Sequence, residues 1–325
     1  MGFVFALAYF REWFDSTVRT AEEVYRSIPT ALLGSVPHFR APSPVELQSQ
    51  QATGISPALW YYHRPGSAEA EAYRTVRTTL FASTKNSGDK VLHFSSPEPG
   101  DGKSTTISNL AIAIAQSGKK VLLIDADLRR PTIDTLFGMR PEVGLSEVLR
   151  RDIHWENAVQ SSRIDGLSIL TSGRAPANPA ELLSLATLPQ LLREVRTEYD
   201  YILIDSPPML AVSDPCILAP HTDGLVLVVR LQKNKRASLD RTRALIDTHG
   251  VHLCGFIAND LSNESGDDPA LNYGAYYQDS RTPADLPAMP AAAVAPSSES
   301  RTLSTSAARG YEALRDRYAN VPRRK

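Results

Sequence analysis

The sequence predicts an α/β fold: a doubly wound, mostly parallel sheet with helices on both faces, followed by a disordered C-terminal tail. Three observations lead there. Segments 91–95, 120–125, 167–171, 200–205, 224–230 and 253–259 are mostly continuous apolar runs, as expected of parallel strands covered on both faces. Helical patterns over 105–117, 188–197 and 234–248 separate them, which suits right-handed crossovers. Past Leu261 the alternation stops, and residues 280–308 are dominated by Ala, Pro, Ser and Thr, a composition unable to bury enough apolar surface to order itself. A short Arg-rich piece around 311–318 is expected to form only a marginal helix.

The chain has 325 residues, enough for one domain of about 200 residues plus extensions. Its net charge of −1 gives no electrostatic case for binding nucleic acid. The two cysteines, Cys216 and Cys254, lie in apolar surroundings without a C-x-x-C pairing. They read as reduced core residues rather than a disulfide or a metal site.

The first ten residues hold an unbroken apolar run from Gly2 to Phe10. As a helix it would span about 14 Å, roughly half a bilayer core. It lacks the basic region and cleavage site of a signal peptide. It reads either as the start of a buried helix or as the remnant of a transmembrane helix end. Residues 11–65 read as a juxtamembrane connector and linker. Within them Thr20-Ala-Glu-Glu23 is a capping box that opens a short helix, with Glu23 expected to return a bond to the Thr20 backbone. Ala31 to Pro37 reads as a strand stopped by proline, and 38–57, rich in Pro, Ser and Gln, as linker. A helix is expected from Ser67 to about Ala82, opening a domain over 66–262, with a tyrosine-containing tail over 263–325.

The first strand, 91–94, runs into Ser95-Ser-Pro-Glu-Pro-Gly-Asp-Gly-Lys-Ser-Thr-Thr106, and a helix leaves it. Gly102-Lys103-Ser104 matches the close of a P-loop, although Pro97 stands where the strict pattern has its first glycine. Pro99, Gly100, Asp101, Gly102, Lys103, Ser104 and Thr105 would cradle phosphates with backbone N–H groups and a helix N-terminus. Lys103 would reach the β/γ-phosphates of ATP and Ser104 would ligate Mg²⁺. Strand 121–125 ends in Asp125 and Asp127, spaced to leave the same face. They could accept a substrate proton and hold a metal-bound water, or be only an N-capping acid and a turn. Strand 201–205 ends in Asp205, the Walker B form, suited to Mg²⁺. All these acids lie at strand carboxyl ends, where ligands bind in such sheets.

Glu98-Pro-Gly-Asp-Gly-Lys-Ser-Thr105, Ile124-Asp-Ala-Asp-Leu-Arg-Arg-Pro131 and Ile204-Asp-Ser-Pro-Pro208 resemble the Walker A, A′ and B motifs of bacterial tyrosine kinases, the autokinases of capsule and exopolysaccharide biosynthesis. The likeness extends to Gly173-Arg-Ala-Pro-Ala-Asn-Pro-Ala-Glu-Leu-Leu183 and to Glu71-Ala-Tyr-Arg-Thr-Val-Arg77, and covers roughly residues 12–262. The resemblance implies that Lys103, Asp125, Asp127 and Asp205 are catalytic. Asp125 would be the proton acceptor, and Ser104, Asp205 and (through water) Asp127 would hold Mg²⁺. Asn259 stands where related ATPases contact adenine, though a strand-end Asn is also a common turn former. Glu71, Arg74 and Arg77 would join subunits into a ring, where the residues alone indicate only a solvated helical stripe. Tyr273, Tyr276 and Tyr277 would accept phosphate from neighbouring subunits, in trans within the ring. A membrane chain-length regulator, as a preceding domain or a separate partner, and a tyrosine phosphatase are further implied, with the kinase at the cytoplasmic face of the inner or plasma membrane.

Two other readings compete. The septum-positioning, plasmid-partitioning and metal-carrier ATPases carry a signature lysine where this chain has Glu98, which argues against them. A nucleotide-bound adaptor that regulates assembly without phosphorylating protein is the reading from another class.

Overall fold

The computed structural model describes residues 16–37, 47, 53–85 and 88–261. The apolar N-terminal run, most of the 38–57 linker and the tail with Tyr273, Tyr276 and Tyr277 lie outside them. The chain opens with α1 (Ala21–Ser27), β1 (Leu32–Pro37), α2 (Trp60–His63) and α3 (Ala68–Thr84). Next come β2 (Val91–Ser95), α4 (Lys103–Ala115), β3 (Val121–Asp125), α5 (Ile133–Phe137), α6 (Leu145–Leu149), α7 (Trp155–Ala158) and β4 (Gln160–Ser161). It continues with β5 (Leu167–Leu170), α8 (Pro179–Leu183), α9 (Thr187–Glu198), β6 (Tyr201–Asp205), α10 (Asp214–Leu218), β7 (Gly224–Arg230), α11 (Arg236–His249) and β8 (Leu253–Leu261).

The strands form one sheet in the order β1-β8-β7-β2-β6-β3-β5-β4, parallel throughout except for the antiparallel pair β4–β5. Side chains alternate faces along each strand. On β7, Val226 and Val228 join one core with Tyr73, Val76, Leu80 and Leu110 of α3 and α4. Leu225, Leu227 and Val229 face the other way, onto Val24 of α1 and Leu239 and Ile246 of α11. Ile124, Ile202 and Ile204 face Leu188, Leu191 and Val195 of α9. Both faces are covered, which accounts for the continuous apolar runs.

The six strands expected from apolar runs are all present. The strand read at Ala31 to Pro37 within the connector is also present, as β1, and the sheet adds β4, which no pattern announced. β1 sits at the edge, where the missing N–H of Pro37 costs little. The α1 cap differs in detail: Thr20 Oγ1 accepts from Glu23 N (3.3 Å), while the Glu23 carboxylate takes the N–H of Arg19 at 2.7 Å. No helix among the described residues is long and apolar enough to cross a membrane.

Candidate active site

The P-loop joins β2 to α4. Gly100 (φ +78°) and Gly102 (φ +86°) hold left-handed conformations, which glycine adopts without the Cβ penalty other residues incur. A Cβ on Gly102 would stand 2.2 Å from Asn259 Nδ2, so this glycine also admits a close approach by β8.

The loop is braced from outside by the connection from β7 to α11. Asn234 Nδ2 donates to both oxygens of Asp101 (3.1 and 3.2 Å), and Lys233 Nζ reaches Asp101 Oδ1 at 2.5 Å. Arg230 donates to Gly100 O (3.1 Å), and Ser238 Oγ donates to Glu98 Oε1 (2.6 Å). Asn259 Nδ2 donates to Asp101 O at 2.7 Å. Burial pushes the Asp101 carboxyl up, and the Lys233 bond opposes the shift. Sequence reasoning missed these braces. Their one signal is the polar run Gln232 to Arg236 at the carboxyl end of an apolar strand that neighbours β2.

Lys103, at the start of α4, carries the site's central cation. Its Nζ lies 3.1 Å from Asp127 Oδ2, 3.2 and 3.3 Å from the two oxygens of Asp205, and 3.0 Å from Ser104 Oγ. Ser104 Oγ in turn donates to Asp205 Oδ2 at 2.5 Å. The sheet order creates this meeting, because β6 lies between β2 and β3 and Asp125 pairs in register with Asp205. Burial works against the ammonium, but Asp205 and Asp127 outweigh it and hold the Lys103 pKa above its usual value. Asp205 nevertheless sits above the ordinary carboxylate range: burial, helped by repulsion from Asp127, outweighs the pull of Lys103 and Ser104.

Asp125 and Asp127 both lie at the Lys103–Asp205 cluster, with different partners. β3 ends at Asp125, and Asp127 lies in the loop that follows. Asp127 turns toward Lys103, and its Oδ1 accepts from Arg130 N (3.0 Å). Asp125 is fully buried and accepts three backbone N–H bonds at 3.1 Å, from Asp127, Thr132 and Ile133. Burial, and then the neighbouring Asp205, pushes its carboxyl up to about 8.

Asn259 ends its side chain against the P-loop, and its Oδ1 is buried with no protein partner. The Glu71–Arg74–Arg77 stripe lies away from this cluster. Arg74 Nη1 pairs with Glu71 at 2.6 Å, and Arg77 Nη1 donates to Ala113 O on α4 at 2.9 Å.

The profile of the AAA domain family matches residues 89–248. The tyrosine-protein kinase YwqD of Bacillus subtilis (strain 168) is 44% identical over 195 residues, 60% of this chain and 82% of YwqD. This chain belongs to the bacterial tyrosine-protein kinases. The tyrosine-protein kinase etk of Escherichia coli (strain K12) is 32% identical over 263 residues, 80% of this chain but 36% of etk, so the chain spans only part of such longer kinases. The solved kinase domain of Escherichia coli ETK superposes with a TM-score of 0.68 at 30% identity, covering 75% of this chain and 95% of that domain. The fold and the relatives thus bear out the kinase reading rather than the partitioning or adaptor alternatives. Glu98, in the place of a signature lysine, is tied back to α11 through Ser238.

Proposed function

We propose that this chain transfers the γ-phosphate of Mg-ATP to tyrosines of its own tail, in trans within a ring, and so regulates capsule or exopolysaccharide polymerisation and export. The observation that carries the reading is the convergence of Lys103 Nζ on Asp127, Asp205 and Ser104 within 3.0–3.3 Å at the joined carboxyl ends of β2, β3 and β6.

The residues fit the nucleotide. Gly100 and Gly102 leave the loop without side chains on its inner turn, and the unpartnered Asn259 Oδ1 offers a buried acceptor suited to the adenine amino group. Pro99 and Thr105 flank this turn, and Asp101 would act through its backbone because its carboxylate braces the loop. Ser104 and Asp205 would hold Mg²⁺, with Asp127 acting through water. The ion would supply neutralisation of the charge that develops as the phosphoryl group transfers. Lys103, now paired with the acids, would swing to the phosphate oxygens once a cation replaces it beside Asp205. Asp125 would take the tyrosine proton. Its raised pKa suits a base working near neutral pH, and three backbone N–H bonds fix its orientation.

In this reading Tyr273, Tyr276 and Tyr277 are the acceptors, and Glu71 and Arg74, on the outer side of α3, contribute to the ring contact. Arg77 supports them from its bond to α4. A membrane chain-length regulator would hold the kinase at the cytoplasmic face of the membrane, and a tyrosine phosphatase would reset it. The test is incubation of the purified chain with Mg-ATP, read by phosphotyrosine antibody. Signal is expected from the wild type, none from Lys103→Met, and little when Tyr273, Tyr276 and Tyr277 are all Phe. Equal signal from Lys103→Met would overturn the proposal.

A further inference from the structure

We propose that Asp89, His252 and Cys254 form a binding site for Zn²⁺, or a similar borderline-soft divalent ion, at the end of the sheet opposite the P-loop. One potential ligand atom from each residue lies within 4.8 Å of the others. They come from two parts of the chain: Asp89 stands just before β2, and His252 and Cys254 flank the start of β8. The strand between these two in the sheet is β7.

Two features of β7 bring the ligands together. It begins at Gly224, where a Cβ would stand 2.2 Å from Cys254 Sγ and 3.1 Å from the His252 ring. Glycine therefore opens a notch that any other residue would fill. The β7–β8 register also slips there: Leu225 pairs with Leu253 and Val226 with Gly255, which leaves Cys254 as an extra, bulged residue. A bulge re-aims the side chain it carries. The backbone around the notch is pinned, because Leu225 N donates to His252 O (2.8 Å) and the Asp223 carboxylate takes the N–H groups of Lys90 and Val91 (2.7 and 2.8 Å).

The donor set decides the class of ion. Thiolate, imidazole and carboxylate together suit Zn²⁺, whereas Mg²⁺ and Ca²⁺ select oxygen ligands. Tetrahedral zinc ligands stand roughly 3.5 Å apart. The observed spread closes with about an ångström of side-chain movement, which the exposed His252 ring and the half-exposed Asp89 can supply. Solvent would fill the fourth position. Such an ion would staple the amino ends of β2 and β8 across β7. The sequence reading of both cysteines as inert core residues then holds for Cys216 alone.

The test is titration of the purified, nucleotide-free chain with Co²⁺, followed by thiolate-to-cobalt absorption, and with Zn²⁺ against a chromophoric chelator. The wild type and Cys216→Ser are expected to show the cobalt–thiolate band and tight zinc binding, and Cys254→Ser to lose both. His252→Ala and Asp89→Asn should weaken zinc by at least the roughly tenfold that loss of an outer-shell partner costs. His252 is exposed, so its variant keeps the test decisive if Cys254→Ser disturbs packing. Absence of the band in the wild type, an unchanged band in Cys254→Ser, or unchanged zinc affinity in His252→Ala would overturn the proposal.

Discussion

Arg129 clamps Asp214 with two parallel bonds, Nε to Oδ2 at 2.8 Å and Nη2 to Oδ1 at 2.9 Å. Arg129 follows Asp127 by two residues, and the fully buried Asp214 opens α10. The pair ties the segment carrying Asp127 to the connection that follows Asp205. A planar fork matches a carboxylate in a way an ammonium does not. Arg129→Lys is therefore expected to keep the fold and slow autophosphorylation about tenfold through a misplaced Asp127. Arg129→Ala should destabilise the protein by about 2 kcal/mol, less than a fully buried pair would cost because the guanidinium is 38% exposed. Urea unfolding and initial rates measure both effects. A wild-type rate from Arg129→Lys would show that the clamp does not position the acid.

Lys103→Met removes the cation from among three buried carboxylates. Transfer is expected to fall by about a thousandfold or more, since the chemistry depends on positioning and charge neutralisation. The fold should survive: Asp125 and Asp205 already sit above the ordinary carboxylate range, so protonation can relieve their repulsion. Asp205→Asn should behave in the same way. Circular dichroism reads the fold and phosphotyrosine the activity. Substantial phosphate incorporation by either variant would refute the assignment of this cluster.

Much of this arrangement is legible in the sequence because it is local. Strand ends carry Asp125 and Asp205, and Gly102-Lys103-Ser104 opens a helix. What escaped is set by distance along the chain or by short elements. β4 has two residues, too few for any periodicity, and β1, although legible as a strand, shows its place at the sheet edge only through pairing with β8. The P-loop braces Lys233 and Asn234 act on Asp101 from more than a hundred positions away, as Asp214 acts on Arg129 from across two crossovers.

Gly173 opens the Gly173 to Leu183 segment with φ +76°, and a Cβ there would stand 2.0 Å from Glu147 Oε2. That oxygen accepts from Gly144 N at 2.9 Å, while Oε1 takes Arg150 at 2.7 Å. Gly173→Ala must adopt an unfavourable left-handed backbone and displace a charged acceptor, a combined cost of about 3 kcal/mol. Glu147→Gln keeps an acceptor in place and should cost about 1 kcal/mol. Urea midpoints distinguish the two, and equal losses would mean that sterics at Gly173 are relieved by some other shift.

His93 sits in the middle of β2 with no exposed surface, its Nδ1 2.9 Å from Thr222 Oγ1 and its Nε2 buried without a partner. Burial lowers its pKa from 6.5 to about 3. Between these values the unfolded chain binds a proton that the folded chain refuses. The stability contributed by neutral His93 is therefore complete above pH 6.5 and is lost as pH falls toward 3. From pH 7 to pH 5 the loss amounts to about 2 kcal/mol. His93→Asn can retain a bond to Thr222 and does not titrate in this range. Its urea midpoint should thus fall less than that of the wild type over the same pH interval, by the equivalent of that difference. Parallel pH profiles for the two proteins would mean that the acid lability lies in the carboxylates and not in this histidine.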